Sequence, residues 1–481
     1  MSASPPSAEL SARARGGMVG LAVCDALGTS VEFCARGSFP PVTDLRGGGP
    51  FDLLPGQYTD DTAMALASAF VLLDSGWRSD PHHAAALLDA YAEWWRSGHW
   101  SPNARCFDIG RTVSAALRVY AGHADDLSSR DAWLARAMAG DADDDRRSGN
   151  GSLMKVLPHL LASAAAVATA PDPATAATRV IAAAVDASRL THPSAIASDC
   201  ISIYGMMVFG ALLGYETDAA ALMPDADGTP YTLPGLDPSK VWASLCEPVR
   251  SMLATRAYAT AMPDESGDPG EAITASGYVL KSLEAAMWAL NHANGSFERG
   301  ATLAVNLGDD ADTVGAIYGA LAGTLFGEAA IPESWRSELA HAALLAAVGE
   351  WLVAMPSLDA DVGALTSENA GATAADALLR VVESGYHAIY NKFSPGPGPP
   401  CVWPGGYPST DAMQTDVDAK LTAAFAAAAD AEPGYDSGVH DCILATFSKQ
   451  AAADKAILER ALRARPARTS LLGAIKLAKS S

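Results

Sequence analysis

The sequence predicts an almost all-α protein with an orthogonally packed multi-helix core. Three observations carry that expectation. Large apolar residues recur at three- and four-residue steps through most long segments, β-branched alternating runs are scarce, and alanine dominates. In Ala63 to Leu73 the large residues mark one helical face, and Ala84 to Trp95, Val113 to Val119, Val180 to Asp186, Ala195 to Leu213 and Gly277 to Leu290 read the same way. Loops are expected where Gly, Pro or charge accumulates: Arg46 to Pro50, Asp141 to Asn150, Pro224 to Asp237 and Pro263 to Gly270. The acidic run Asp141-Ala142-Asp143-Asp144-Asp145 reads as a solvated loop.

With 481 residues, 49% hydrophobic and 18% charged, the chain can bury one large core or those of two to three domains. A formal charge of -22 repels a phosphate backbone and argues against general nucleic-acid binding. The seven cysteines are scattered and never spaced as CxxC, the usage of a reduced intracellular protein and not of a disulfide framework or zinc ribbon. The opening residues are polar, and no apolar run reaches about 18 uninterrupted residues, so the expectation is a cytoplasmic protein without a membrane span. Ser394 to Pro400 alternates Pro with Gly and cannot be helical. The surrounding portion has helical-looking stretches at Ala372 to Tyr390, Asp416 to Ala431 and Ala452 to Ala464, ends in a basic tail, and carries none of the motifs below.

Two carboxylate clusters stand out. Thr59-Asp60-Asp61-Thr62 follows the loop Pro55-Gly56-Gln57-Tyr58 and opens an amphipathic run, so Thr59 or Asp60 can serve as an N-cap, and capping alone would explain the string. The second cluster, Asn306-Leu307-Gly308-Asp309-Asp310-Ala311-Asp312-Thr313, is harder to dismiss. A cap needs one aspartate, whereas three within four residues repel one another. A hard divalent cation with oxygen ligands, magnesium or manganese, accounts for the excess. Beyond it, Gly315, Gly319, Gly323 and Gly327 recur every fourth residue, which predicts a central helix that another backbone approaches closely. Glu32 closes the otherwise apolar stretch Gly20 to Phe33, and core packing does not explain its carboxylate.

Taken together, these strings resemble the ADP-ribosylglycohydrolase family. The motifs occur in order as Gly20 to Phe33 (GLAVCDALGTSVEF), Gly56 to Ala65 (GQYTDDTAMA), Gly149 to Lys155 (GNGSLMK), Thr191-His192-Pro193 and Ala304 to Gly315 (AVNLGDDADTVG), with Ile331 to Trp335 as a family-like ending. The resemblance covers roughly residues 13–345, leaving 1–12 as a flexible N-terminus and 346–481 as a mostly helical extension with the Pro/Gly-rich loop near 394–400. It implies an all-α fold with two magnesium ions (manganese being the alternative) held by Thr59, Asp60, Asp61, Asp310, Asp312 and Thr313. Asp310 would bridge the ions, and Asp310, Asp61 and Glu32 would be the catalytic carboxylates, Glu32 as a ligand or a gate to the cleft. Gly149, Asn150, Gly151, Ser152 and Met154 would form a loop against the ADP-ribose, with His192 and Asp108 near the same ligand.

The resemblance further implies a metal-dependent hydrolase that cleaves the ribosyl C1″ bond of an ADP-ribosylated protein or small molecule and releases ADP-ribose. That reaction passes through an oxocarbenium-like state which carboxylates stabilise. Two other functions stay open: an inactive ADP-ribose-binding or structural relative, and a hydrolase of a free ADP-ribosyl metabolite. Every matched ligand position keeps an oxygen side chain, which favours the enzyme. Three departures touch the site. Asp309 stands where glycine is frequent, Lys155 where arginine is common, and Arg111, in the stretch Cys106 to Arg111, where asparagine is frequent.

Overall fold

A computed structural model of the chain describes residues 6–355, apart from 76–79, 104, 124–126, 140–144 and 226. In chain order the helices are α1 (Ala8–Gly28), α2 (Asp60–Ser75), α3 (Pro81–Ser97), α4 (Arg111–Ala121), α5 (Leu127–Ala139), α6 (Leu157–Leu161), α7 (Ala164–Ala168), α8 (Pro173–Arg189) and α9 (Ala195–Leu212). They continue with α10 (Pro238–Ser244), α11 (Glu247–Thr255), α12 (Ala257–Thr260), α13 (Val279–Asn291), α14 (Phe297–Val305), α15 (Ala311–Phe326), α16 (Glu333–Glu338) and α17 (Ala342–Val353). Among the described residues there is no strand, and β-type pairing is limited to two isolated bridges, Gly48 with Leu53 and Gly149 with Tyr278. The all-α expectation holds.

Each stretch with helical spacing in the described region lies on a helix, and the exact ends follow local chemistry. Asp80 and Asp172 cap α3 and α8, accepting hydrogen bonds from the backbone of His83 and Thr175, and Pro81 and Pro173 occupy the first helical position. Helix α13 starts at Val279, two residues later than its apolar pattern suggests. Gly277 and Tyr278 are drawn instead into backbone pairing with the segment Ser148–Asn150: Asn150 donates to the Gly277 carbonyl at 3.1 Å and Val279 to that of Ser148 at 3.0 Å. Helix α1 begins at Ala8, inside the stretch 1–12 set aside from sequence, because Ser7 caps it and Leu10 and Ser11 are buried. The limit at residue 345 falls within α17, which packs against α1. The helical-looking stretches beyond 372 and the Pro/Gly loop at 394–400 lie outside the described residues.

Helix α1 is buried almost all round from Ala14 onward, the mark of a central helix. Its main partner is α15, with α17 on another side; α15 in turn packs against α9, α13 and α14. The contact between α1 and α15 is backbone against backbone. A Cβ at Gly319 would lie 2.1 Å from the Gly20 carbonyl oxygen, one at Gly323 2.0 Å from that of Gly16, and one at Gly315 2.7 Å from that of Cys24. Glycine is needed from α1 as well: a Cβ at Gly28 would meet the backbone of Asp312 at 2.5 Å. Gly327, the fourth glycine of the stripe, has a different use, ending α15 at φ +77. Helix α9 is long and apolar enough by length and composition to cross a membrane, but 83% of its apolar window is buried inside the fold, as befits a core helix.

Gly319→Ala is expected to destabilise the protein by about 1–3 kcal/mol or more, since neither backbone can yield. Gly110→Ala, at the N-cap of α4 with φ -59 and nothing within 4 Å, sets a lost cap preference against a less flexible unfolded chain and should change stability by less than about 1 kcal/mol. Chemical denaturation of the two variants provides the comparison, and equal midpoints would contradict the tight-crossing account.

Candidate metal centre and active site

The close crossing sets the C-terminal end of α1 against the N-terminal end of α15, and α2 begins beside both. Asp25, near the end of α1, points its carboxylate into the start of α2. It accepts from Thr59 N at 2.8 Å, Thr59 Oγ1 at 2.9 Å, Thr62 N at 3.0 Å and Thr62 Oγ1 at 2.6 Å. The start of α2 is thus capped from another helix. Thr59 stands in the N-cap position, as expected, but the capping oxygens are those of Asp25, and neither Asp60 nor Asp61 is spent on the task. At α15 the N-cap residue is Asp310, and its side chain makes no capping hydrogen bond.

The aspartates freed in this way converge. Asp25, Asp61 and Asp312 offer carboxylate oxygens that all lie within 4.8 Å of one another, and so do Glu32, Asp108 and Asp312. Asp312 is common to both groups. Thr59 Oγ1 lies 3.2 Å from Asp312 Oδ2 and 3.3 Å from Asp61 Oδ2, and Thr313 Oγ1 lies 3.5 Å from the same Asp61 oxygen. Asp108 is close enough to Asp60 to help raise its pKa. Thr59, Asp61, Asp312, Thr313 and Glu32 are all buried, with Asp310 and Asp108 half-buried at the edge.

So many carboxyls in one dry place hold their protons. Burial, reinforced by neighbouring carboxylates, pushes Asp60, Asp61 and Asp312 well above the usual range, raises Asp310 and Asp108, and takes Glu32 up to about 12. Asp25, burdened by the same burial but relieved by its four hydrogen bonds, is raised to about 6. Three carboxylate oxygens (Glu32 Oε2, Asp61 Oδ1 and Asp312 Oδ1) are buried with no hydrogen-bond partner in the protein. Buried acceptors are costly unless satisfied, and an all-oxygen donor set of carboxylates and threonine hydroxyls suits a hard divalent cation. The residues therefore fit the metal that the carboxylate arithmetic calls for.

A second layer holds the centre in shape. Asn150 donates to Asp310 Oδ2 at 2.6 Å and to Ser282 Oγ at 2.9 Å, so the Gly149–Ser152 turn is tied both to α15 and to the start of α13. Gly149 and Gly151 are partly exposed, whereas Ser152 and Met154 are buried within the turn. His192 is 1% exposed and lies behind the turn, its Nε2 3.3 Å from where a Gly149 Cβ would be and 3.2 Å from that of Gly151. Its Nδ1 is 2.8 Å from Thr191 Oγ1, and burial with the nearby cations Lys155 and Arg147 holds the ring well below its ordinary pKa, as a neutral imidazole. Lys155, buried beside it, donates to the Gly151 carbonyl and, at 3.4 Å, to Thr191 Oγ1. Burial draws it down to about 7 although Asp60 and Asp61 pull the other way.

Every carboxylate and hydroxyl singled out from sequence is therefore in or beside one cluster, together with the Asn150 turn. Asp25, Ser282 and the bracing role of Lys155 were not anticipated. Asp25 carried a signal nonetheless, being a carboxylate inside the apolar run of α1, the same anomaly that marked Glu32.

The family model for ADP-ribosylglycohydrolase matches residues 6–367. The chain belongs to the ADP-ribosylglycohydrolase family. It is 32% identical over 353 residues to the ADP-ribosylarginine hydrolase Tri1 of Serratia proteamaculans, an alignment covering 73% of this chain and 81% of the relative. It is 29% identical over 337 residues to the ADP-ribosyl-[dinitrogen reductase] glycohydrolase of Rhodospirillum rubrum, covering 68% of this chain and 90% of that one. Among solved structures, an ADP-ribosylglycohydrolase-related protein complex superposes with a TM-score of 0.53 at 30% identity, covering 72% of this chain and 99% of that chain.

The raised carboxyls of this glycohydrolase have a thermodynamic consequence. Between the ordinary carboxylate pKa of about 4 and their raised values, the folded state binds more protons than the unfolded one, so stability without a cation falls as pH rises. In chelator, the melting temperature should be lower at pH 8 than at pH 5.5, and added magnesium should narrow the difference by replacing protons. A melting temperature that climbs with pH in chelator would contradict the cluster as described.

Proposed function

We propose that this chain hydrolyses the ribosyl C1″ bond of an ADP-ribosylated arginine and releases ADP-ribose, using a binuclear centre that holds magnesium. One observation carries the reading: Asp312 belongs to two adjoining carboxylate groups, in which one oxygen each of Glu32, Asp61 and Asp312 is buried without a protein partner. Two cations sharing one carboxylate fit that arrangement better than a single ion does. Asp312, common to both groups, and Asp310, oriented by Asn150, would both help to hold the ions. Asp60, Asp61, Thr59 and Thr313 complete the donor set. Arginine as the acceptor is supported by two relatives named as ADP-ribosylarginine hydrolases, from Serratia proteamaculans and, at 31% identity, Pseudomonas putida.

Bound in this donor set, divalent ions supply Lewis-acid polarisation and a template for the ribose hydroxyls. The chain's own groups do the rest. Glu32 and Asp108, grouped with Asp312, would present negative charge to the oxocarbenium-like C1″ once bound cations displace the protons that burial otherwise keeps on them. Asn150 keeps Asp310 in one orientation, and His192 and Lys155 hold the backbone that carries Asn150. A cytoplasmic protein acting on an ADP-ribosylated protein or small molecule completes the proposal, in keeping with the five described cysteines, which are all free thiols.

Asp312→Asn is expected to lower ADP-ribose release from an ADP-ribosylarginine peptide by at least about 10²–10³-fold, while circular dichroism still reports a folded helical protein. Calorimetric titration with magnesium should show both binding events weakened in Asp312→Asn and mainly one in Asp310→Asn. Turnover that survives exhaustive chelation would eliminate the metal-centred reading.

A further inference from the structure

Phe33 combines two features that cost stability. Its side chain is 64% exposed, and its backbone is left-handed at φ +62. The segment Val31 to Cys34 is a β-turn closed by Cys34 N donating to the Val31 carbonyl at 3.0 Å, with Glu32 at φ -55, ψ 137. These are the angles of a type II turn, whose third residue is ordinarily glycine. Asp309, across from it, repeats the pattern: an exposed carboxylate on a backbone at φ +52. The two residues are locked together, Phe33 N donating to the Asp309 carbonyl and Asp309 N to that of Cys34, each at 2.7 Å. The segments press so closely that a Cβ at Gly308 would meet the Cys34 carbonyl oxygen at 2.6 Å. Arg36 ties the same segment to its neighbours, donating to the Leu307 carbonyl at 3.5 Å, Asp268 Oδ1 at 2.8 Å and the Gly270 carbonyl at 2.6 Å.

Aspartate adopts the left-handed region at little cost, whereas a bulky aromatic there is an outlier that glycine would relax. An exposed, strained aromatic directly after Glu32, held against an exposed carboxylate directly before Asp310, points to use. We propose that Phe33 and Asp309 form the acceptor subsite of this glycohydrolase, taking the guanidinium-bearing side chain that leaves when the ribosyl bond is cut. An aromatic face accepts a flat delocalised cation, and a neighbouring carboxylate accepts its N–H groups. This inference rests on the proposed reaction, and deepens it by giving the acceptor its own residues.

The test separates the two halves of the substrate. In Phe33→Gly and Asp309→Asn, the KM for an ADP-ribosylarginine peptide is expected to rise about 5- to 10-fold. Affinity for free ADP-ribose, measured by calorimetry, should stay within about twofold. Phe33→Gly should melt at the same temperature as the wild type or higher, since glycine relieves the turn. Unchanged KM in both variants would overturn the proposal, and so would a loss of ADP-ribose affinity equal to the rise in KM. If the wild type releases no ADP-ribose, the reaction itself is refuted. The subsite is then decided by whether the variants bind the intact peptide more weakly than wild type while binding ADP-ribose equally.

Discussion

The contact on which the rest of the molecule depends is the glycine-lined crossing of α1 and α15. Helices that meet through large side chains keep their axes 8–10 Å apart, whereas here the carbonyls of Gly16, Gly20 and Cys24 occupy the space where Cβ atoms of α15 would otherwise stand. That proximity brings Gly28 against the backbone of Asp312, and so brings the turn after α1 against the loop before α15. Asp25 and Glu32 come from one side of the crossing and Asp310, Asp312 and Thr313 from the other. A wider separation would leave two acidic loops facing solvent instead of one buried cluster.

Asp25 extends that geometry to a third segment. By accepting four hydrogen bonds from Thr59 and Thr62, it anchors the start of α2 on α1. The capping task falls to a residue from another helix, and Asp60 and Asp61 are left with unspent oxygens. The price is a dense set of buried carboxyls whose mutual repulsion the protein alone does not relieve, visible in the orphaned oxygens of Glu32, Asp61 and Asp312. Three orphaned carboxylate oxygens gathered in one place are the pattern expected of a functional centre.

Around the carboxylates the chain is layered by role. Asn150 touches Asp310 directly; His192, Thr191 and Lys155 touch only the turn that carries Asn150. The family-like motifs containing Asn150 and His192 thus meet on two sides of one backbone segment, one toward the carboxylates and the other away from them. Phe33 and Asp309, next in sequence to Glu32 and Asp310, are exposed to solvent.

Much of this was legible along the chain. Apolar spacing located α2, α3, α4, α8, α9 and α13, the four-residue glycine period marked α15 as a helix to be approached closely, and an excess of aspartate over what capping needs marked both clusters. These are local properties, written in periodicity and composition, and they determine element type and chemical class. What tertiary structure alone decided is pairing: that Asp25 caps α2, that Asp312 and not Asp310 lies in both carboxylate groups, that His192 stands behind the Asn150 turn, and that Phe33 is held against Asp309. Each depends on which backbones come within a few ångströms across large separations in sequence. No spacing rule encodes that distance, because it is set by the packing of whole helices, here by glycines that allow two of them to touch.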